Sequence, residues 1–250
     1  MSRQLNNNQI QNLKLVLKFR YVTTDNLANH RNITHNSAYS ALEILQAAGY
    51  LGKIHDKSYR LMNKSARYYL TQQGLDYLRN ESNLELDEAI WKNHKNDGKK
   101  STEFIDQQVA IHAAYNELRA RLGDKARIMT APETYGIEGI IKPLPSLLVE
   151  LPSNKRFFVE ATDGQHLFIA RKRIRKYIQN YDDNEWEWEE YPDVYLLRTN
   201  SASDRTRLRK YVEAQMDDSY LDADDFSFHI VGNISSIKSV WAVYRHAQGE

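Results

Sequence analysis

Residues 34–51 read THNSAYSALEILQAAGYL, and two patterns are superposed in them. Ala38, Ala41, Leu42, Leu45 and Ala48 recur at spacings of three and four, the period that lines one stripe of an α-helix. Thr34, His35, Asn36, Ser37, Tyr39 and Ser40 crowd short hydrogen-bonding groups into the first turns of the other face, where Glu43 is the only charge. Thr34 suits an N-cap, Gly49 a C-terminal stop, and Tyr50 and Leu51 can fold back as the cap contact. A helix with small polar residues at its N-terminal end is suited to a DNA major groove, where those residues meet base edges. An ordinary amphipathic surface helix has the same periodicity, so the neighbouring segments decide.

Upstream, Ile10, Leu13, Val16 and Leu17 mark a helix ending near Phe19. Thr23 caps a short helix with Thr24, Asp25 and Asn26 in its first turn, Leu27 and Ala28 facing inward, and an end near His30. Arg31, Asn32 and Ile33 form the turn. Helix, short helix, tight turn, helix is the helix-turn-helix order. Downstream, Ile54 and the alternation around Tyr59 and Leu61, then Tyr68 and Leu70, predict two strands joined at Asn63, Lys64 and Ser65. This wing carries Lys53, Lys57, Arg60, Lys64 and Arg67 against a single Asp56. Thr71, Gln72, Gln73 and Gly74 open a closing helix over residues 75–78. The succession of tyrosine, leucine, threonine, glycine and Leu-x-x-Leu resembles the end of many winged-helix domains, over residues 8–80. The resemblance implies base contacts from His35, Asn36, Ser37, Tyr39 and Ser40 and phosphate contacts from the five wing cations. A winged helix used for protein contacts is the competing reading.

With 250 residues the chain has room for two domains. It contains no cysteine, which excludes a disulfide scaffold and any thiolate metal site. No apolar run of about 18 residues exists to cross a membrane, and the start, MSRQLNNNQIQN, lacks an apolar signal core; the expectation is a cytoplasmic protein. Residues 1–80 hold 11 Lys and Arg against 4 Asp and Glu, net +7, whereas residues 81–250 hold 23 against 29, net −6. A basic head on an acidic body is the asymmetry expected when one domain meets a polyanion. No Gly-rich phosphate loop is present, so nucleotide hydrolysis has no support.

Residues 81–101 are polar, with scattered apolar positions and Asn96, Asp97 and Gly98 at their end. They read as a linker with one or two helical turns around Leu86 and Ile90, and with His94 facing solvent. A helix over 102–122 follows, with Phe104, Ile111, Tyr115, Leu118 and Leu122 as its buried stripe and His112 as a buried or half-buried histidine. Strands are predicted at 126–130, 146–151, 156–162, 193–198 and 226–231, with helices at 164–181 and 204–216 between the later ones. This alternation indicates an α/β domain over 102–250. Arg171, Lys172, Arg173, Arg175 and Lys176 make the first of those helices basic; Arg171, Lys172 and Arg175 either track phosphates or line a solvated face. Trp186 and Trp188 could stack on bases, but Glu185, Glu187, Glu189 and Glu190 around them favour local packing or a protein contact.

Pro145, the strand after it, the turn at Pro152, Ser153 and Asn154, the strand carrying Glu160, and the basic helix together resemble PD-(D/E)XK nuclease-like domains. In that layout an Asp and a Glu hold Mg²⁺ and a Lys two residues beyond the Glu orients water. Here Ser146 stands in place of the Asp and Thr162 in place of the Lys. The degenerate site is Glu160, Asp163, Ser146 and Thr162, which implies an inactive domain with no metal or other cofactor. Taken whole, the basic head, IIKPLPSLLVEL, RFFVEATDGQ, the basic helix and the final VW resemble the replication-relaxation family, with Glu160, Gly164, Lys172, Tyr177 and Trp241 fitting. The resemblance implies a DNA-binding accessory protein of a plasmid or other mobile element, acting in replication or DNA relaxation and transfer. Its partners would be double-stranded DNA, a replication protein or relaxase, and a second copy on paired half-sites, with no membrane. Two alternatives stay open: a winged-helix-targeted endonuclease using Mg²⁺ on Glu160 with Asp163 and Glu117 or Glu133, and a transcription repressor sensing a small molecule.

Overall fold

The computed structural model describes residues 4–55, 57–81, 88–221 and 226–237, and the chain divides into two compact units, Met1–His112 and Ala113–Glu250. The first unit opens with α1 (Asn7–Phe19), closed at its start by a capping box: Asn6 Oδ1 accepts from Gln9 N at 2.9 Å and Gln9 Oε1 from Asn6 N at 3.0 Å. Next come α2 (Thr24–Arg31), capped by Thr23, and α3 (His35–Ala47), capped by Thr34, whose Oγ1 accepts from Ser37 N at 3.2 Å. Gly49 has φ +83°, which lets Tyr50 N turn back to Leu45 O at 3.0 Å. Both Tyr50 and Leu51 are buried there. Strand β1 (Leu51–Ile54), short helix α4 (Lys57–Leu61) and strand β2 (Arg67–Leu70) form an antiparallel hairpin with Leu51 opposite Leu70. Val22 bridges Tyr68 beside it. Then follow α5 (Gln72–Glu81), α6 (Glu88–His94), a 3-10 turn over Asp97–Lys99, and α7 (Thr102–Leu122), within which the division between units falls.

The stripe of α3 is buried at Ala38, Leu42 and Leu45, while Ala48 lies exposed past the end of the helix. Leu42 and Leu45 each contribute roughly 1.5–3 kcal/mol by leaving water. They join Leu13, Val16, Leu27, Tyr68, Leu70 and Leu78 among the buried residues of this unit.

Two expectations fail here. The stretch around Tyr59 and Leu61 is helical, not extended. Tyr59 is buried but Leu61 is 80 % exposed, so the pair does not share the face that strand alternation requires. Residues 88–101 do not behave as a linker either, because Trp91, His94 and Asp97 are all buried. Asp97 accepts from Arg20 and lies 3.0 Å from His94 Nδ1, and its backbone carbonyl accepts from Tyr21 OH at 2.6 Å. These partners sit 76 and 77 positions upstream, apart from His94, so the polar composition of the stretch hides a packed element. The Tyr69 ring lies against Gly52 and Gly98, leaving no room for a Cβ on either. Asp56, Leu86, Val240 and Trp241 lie outside the described residues.

The second unit is built on a five-stranded mixed sheet in the order β3 (Arg127–Thr130), β4 (Leu147–Glu150), β5 (Arg156–Ala161), β6 (Asp193–Leu197) and β7 (Phe228–Val231). Strand β4 runs antiparallel to its neighbours β3 and β5, and β5, β6 and β7 run parallel. Parallel neighbours need crossovers, supplied by α8 (Leu167–Asp183) and α9 (Ala202–Asp218). Both helices pack on one sheet face, where Leu148, Phe158, Val194, Leu196 and Ile230 meet Ile174, Tyr177, Leu208 and Val212. The chain is therefore mixed α/β, and every predicted strand of this unit is present within two residues of its expected ends.

Candidate nucleic-acid interface and the buried carboxylate cluster

His35, Asn36, Ser37, Tyr39 and Ser40 are all exposed on α3. Periodicity explains it for Asn36, Ser37, Tyr39 and Ser40, which lie off the stripe of Ala38, Leu42 and Leu45, whereas His35, in line with that stripe, is exposed because it lies in the first turn. His35 Nε2 lies 3.4 Å from Asp25 Oδ1, both side chains well exposed, and Ser37 Oγ is 2.9 Å from Thr34 Oγ1. Ile33 and Ile44 are also exposed. Glu43 accepts from Lys53 Nζ at 2.7 Å and from Tyr68 OH at 2.6 Å. Desolvation pushes the Glu43 carboxyl up, but the Lys53 and Tyr68 hydrogen bonds outweigh it and hold it below the usual carboxylate range.

The five hairpin cations separate into two sets. Lys57 and Arg60 are exposed on α4. Lys53 is committed to Glu43, Lys64 Nζ lies 2.6 Å from Asp106 Oδ2, and Arg67 Nη2 lies 3.1 Å from Asp106 Oδ1. Arg67 is itself buried and donates to the carbonyl of Ser65. A phosphate role for Arg67 is thereby corrected: its guanidinium joins the root of the hairpin to Asp106, a residue whose part in this unit has no local signal in the sequence.

In the second unit, β4 and β5 bring Ser146 and Glu160 together as their spacing predicts: Ser146 Oγ donates to Glu160 Oε2 at 2.9 Å. The other oxygen is fully engaged. Arg173 approaches Glu160 Oε1 through Nε at 2.9 Å and Nη2 at 2.5 Å, and Tyr177 OH donates to it at 2.5 Å. Burial, followed by the Glu160 charge, raises the Tyr177 phenol well above its ordinary value, so it remains a donor. Burial works against the Arg173 charge, but the adjoining Glu160 more than restores it.

Asp163 and Thr162 point to other tasks. Asp163 accepts from Thr199 N at 2.8 Å and Thr199 Oγ1 at 2.7 Å, and Thr162 Oγ1 donates to Leu197 O at 3.0 Å. Glu117 pairs with Arg121 four residues on, and Glu133 closes a capping box with Thr130. A divalent cation needs several converging oxygens. Here Glu160 faces a guanidinium and Asp163, Glu117 and Glu133 are spent elsewhere, so these residues do not fit Mg²⁺. Among the described residues no group of three or more His, Asp or Glu side chains converges as a metal site.

On α8 the basic residues also diverge. Lys172 and Arg175 are exposed, whereas Arg171 is half-buried with its guanidinium 5.1 Å from the Tyr211 ring centre. Trp186 stacks near Tyr181, and Trp188 packs on the core beside Phe158, so neither indole is presented as a base platform. The residues missed by sequence reasoning are Arg173, counted only as one of five cations, and Asp97. For Arg173 a signal existed: it sits four positions before Tyr177, next to the apolar stripe of Ile174 and Ile178. No helix among the described residues is long and apolar enough to cross a membrane. Comparison of the chain with protein-family models, with curated proteins and with solved structures found no match.

Proposed function

We propose that the chain is a double-stranded-DNA-binding accessory protein of a plasmid or other mobile element, acting in replication or in DNA relaxation and transfer. In this reading the first unit is a winged helix-turn-helix with α3 as its recognition helix, and the second is a nuclease-like fold without catalytic function. The observation that carries the reading is the surface of α3: five hydrogen-bonding side chains, all exposed, at the N-terminal end of a helix whose other face is buried. The hairpin after it presents Lys57 and Arg60, suited to the adjacent phosphate backbone. Support for the nuclease-like reading comes from the order helix, three antiparallel strands, helix, parallel strand, with Glu160 on the third strand. Arg173 and Tyr177 engage one oxygen of Glu160 and Ser146 the other, which favours a structural rather than a hydrolytic use of the fold. A replication protein or relaxase, or a second copy of this chain, are the partners this reading proposes.

The test is fluorescence anisotropy of the full chain on duplex DNA across a salt series. Binding that weakens linearly in log–log form, and that is lost on joint replacement of Asn36, Tyr39 and Ser40 by alanine, supports the reading. Absence of binding at low salt rejects it and turns α3 into a protein-contact surface.

A further inference from the structure

The outward face of α3 carries no available charge. From His35 to Ala47 the helix has no Lys or Arg, and its one acid, Glu43, is held by Lys53 and Tyr68. Tyr39 and Ile44 on the helix, and Ile33 just before its cap, are unburied, exposed by 45, 49 and 41 %. Ser37, Ser40 and Ile44 follow one another at spacings of three and four, along a single row of the helix. His35 lies against Asp25, which occupies one of its ring nitrogens.

Major-groove chemistry converts this inventory into a preference. Guanine is read by Arg or Lys at O6 and N7, and cytosine by a free carboxylate at N4, and α3 offers none of these. It does offer the Asn36 carboxamide, whose acceptor and donor match adenine N6 and N7. It also offers Ile44 and, just before its cap, Ile33, branched apolar side chains of the kind that meet the thymine methyl group. From Asn36 to Ile44 the helix rises about 12 Å, which spans three to four base pairs at roughly 3.4 Å each. Resting on the DNA-binding reading above, we propose that α3 selects A·T base pairs in the major groove, Asn36 reading adenine and Ile44, with Ile33, reading thymine methyl groups.

Binding the full chain to a pool of 30-base-pair duplexes with randomised centres, and sequencing what is retained, tests the proposal. The expected result is a core of A·T pairs. Replacing thymine by deoxyuridine in that core removes only the methyl groups and should weaken binding about fourfold for each contacted one. Asn36→Ala, at an exposed position, should flatten the preference at one adenine by roughly 5- to 150-fold. Retention of duplexes with G·C cores, or indifference to deoxyuridine, overturns the A·T proposal while leaving DNA binding intact. Retention of no duplex at all overturns both. The deoxyuridine arm alters only the DNA, so the outcome does not depend on any variant folding.

Discussion

The two polar clusters of this chain are made of similar chemistry and used in opposite ways. On α3, hydroxyls, an amide and an imidazole lie exposed beside a buried stripe, open to solvent. Around Glu160, a carboxyl, two hydroxyls and a guanidinium point inward, and each satisfies another. Residue type alone does not separate a site from a strut; what separates them is whether the groups are left unsatisfied. Buried polar groups that complete one another's hydrogen bonds have little left to offer a ligand.

The sharpest way to break this contrast is Glu160→Ala. It would leave the Arg173 guanidinium buried without its acid, and should cost about 3–5 kcal/mol of unfolding free energy, read by urea denaturation, with duplex affinity unchanged for folded protein. A loss below about 1 kcal/mol would mean that the cluster is not holding α8 to the sheet.

His112 supplies a third case, inward and unsatisfied. Its ring is fully buried, stacked 3.9 Å from Phe19, and among the described residues neither nitrogen has a hydrogen-bond partner. Burial, aided by the nearby His30 and Lys18 charges, holds its pKa well below the ordinary histidine value. A base with a lowered folded pKa gives stability that is complete above its unfolded pKa and is lost as pH falls below it. Stability of the first unit should therefore decline from about pH 6.5 downward, by up to roughly 1.4 kcal/mol per pH unit. Chemical denaturation at stepped pH should show this limb removed in His112→Leu; an unchanged acid limb would assign the loss to other groups.

Smaller effects test the outward cluster. Thr34→Ala removes the α3 cap and should cost about 1 kcal/mol, seen as a lower urea midpoint. Least disruptive to the fold is joint replacement of Lys57 and Arg60 by alanine. Stability should stay within about 0.5 kcal/mol of the parent, while the log–log salt slope of duplex binding falls by about 1.8, as expected for two phosphate contacts. Equal loss of slope from Lys53→Ala and Lys64→Ala would erase the distinction between exposed and committed cations.

What could be read in advance follows from the range of the interactions. Thr23, Thr34 and Gly49 mark helix ends through bonds to residues three or four positions away, and all three do so in the structure. The strands 147–150 and 156–161 were legible because both faces of a central strand are apolar. Tyr59 and Leu61 were misread because two apolar residues with one between them have the spacing of a strand face, whereas in the helix they form only Tyr59 turns inward. Asp97 and Arg67 were not legible as structural groups: their partners lie 77 and 39 positions away, and no local pattern encodes such a pairing, whereas Arg173, 13 positions from Glu160, carried only the hint of Tyr177 one turn on.

The Tyr69 ring, wedged against Gly52 and Gly98, imposes an order on change. A chain that first shortens Tyr69 opens space for a methyl group at position 52 or 98, whereas one that first acquires alanine at either glycine meets the ring. Each step is judged by what preceded it. The same three substitutions would thus be accessible along some mutational routes and closed along others, and the two glycines, 46 positions apart in sequence, share a single history.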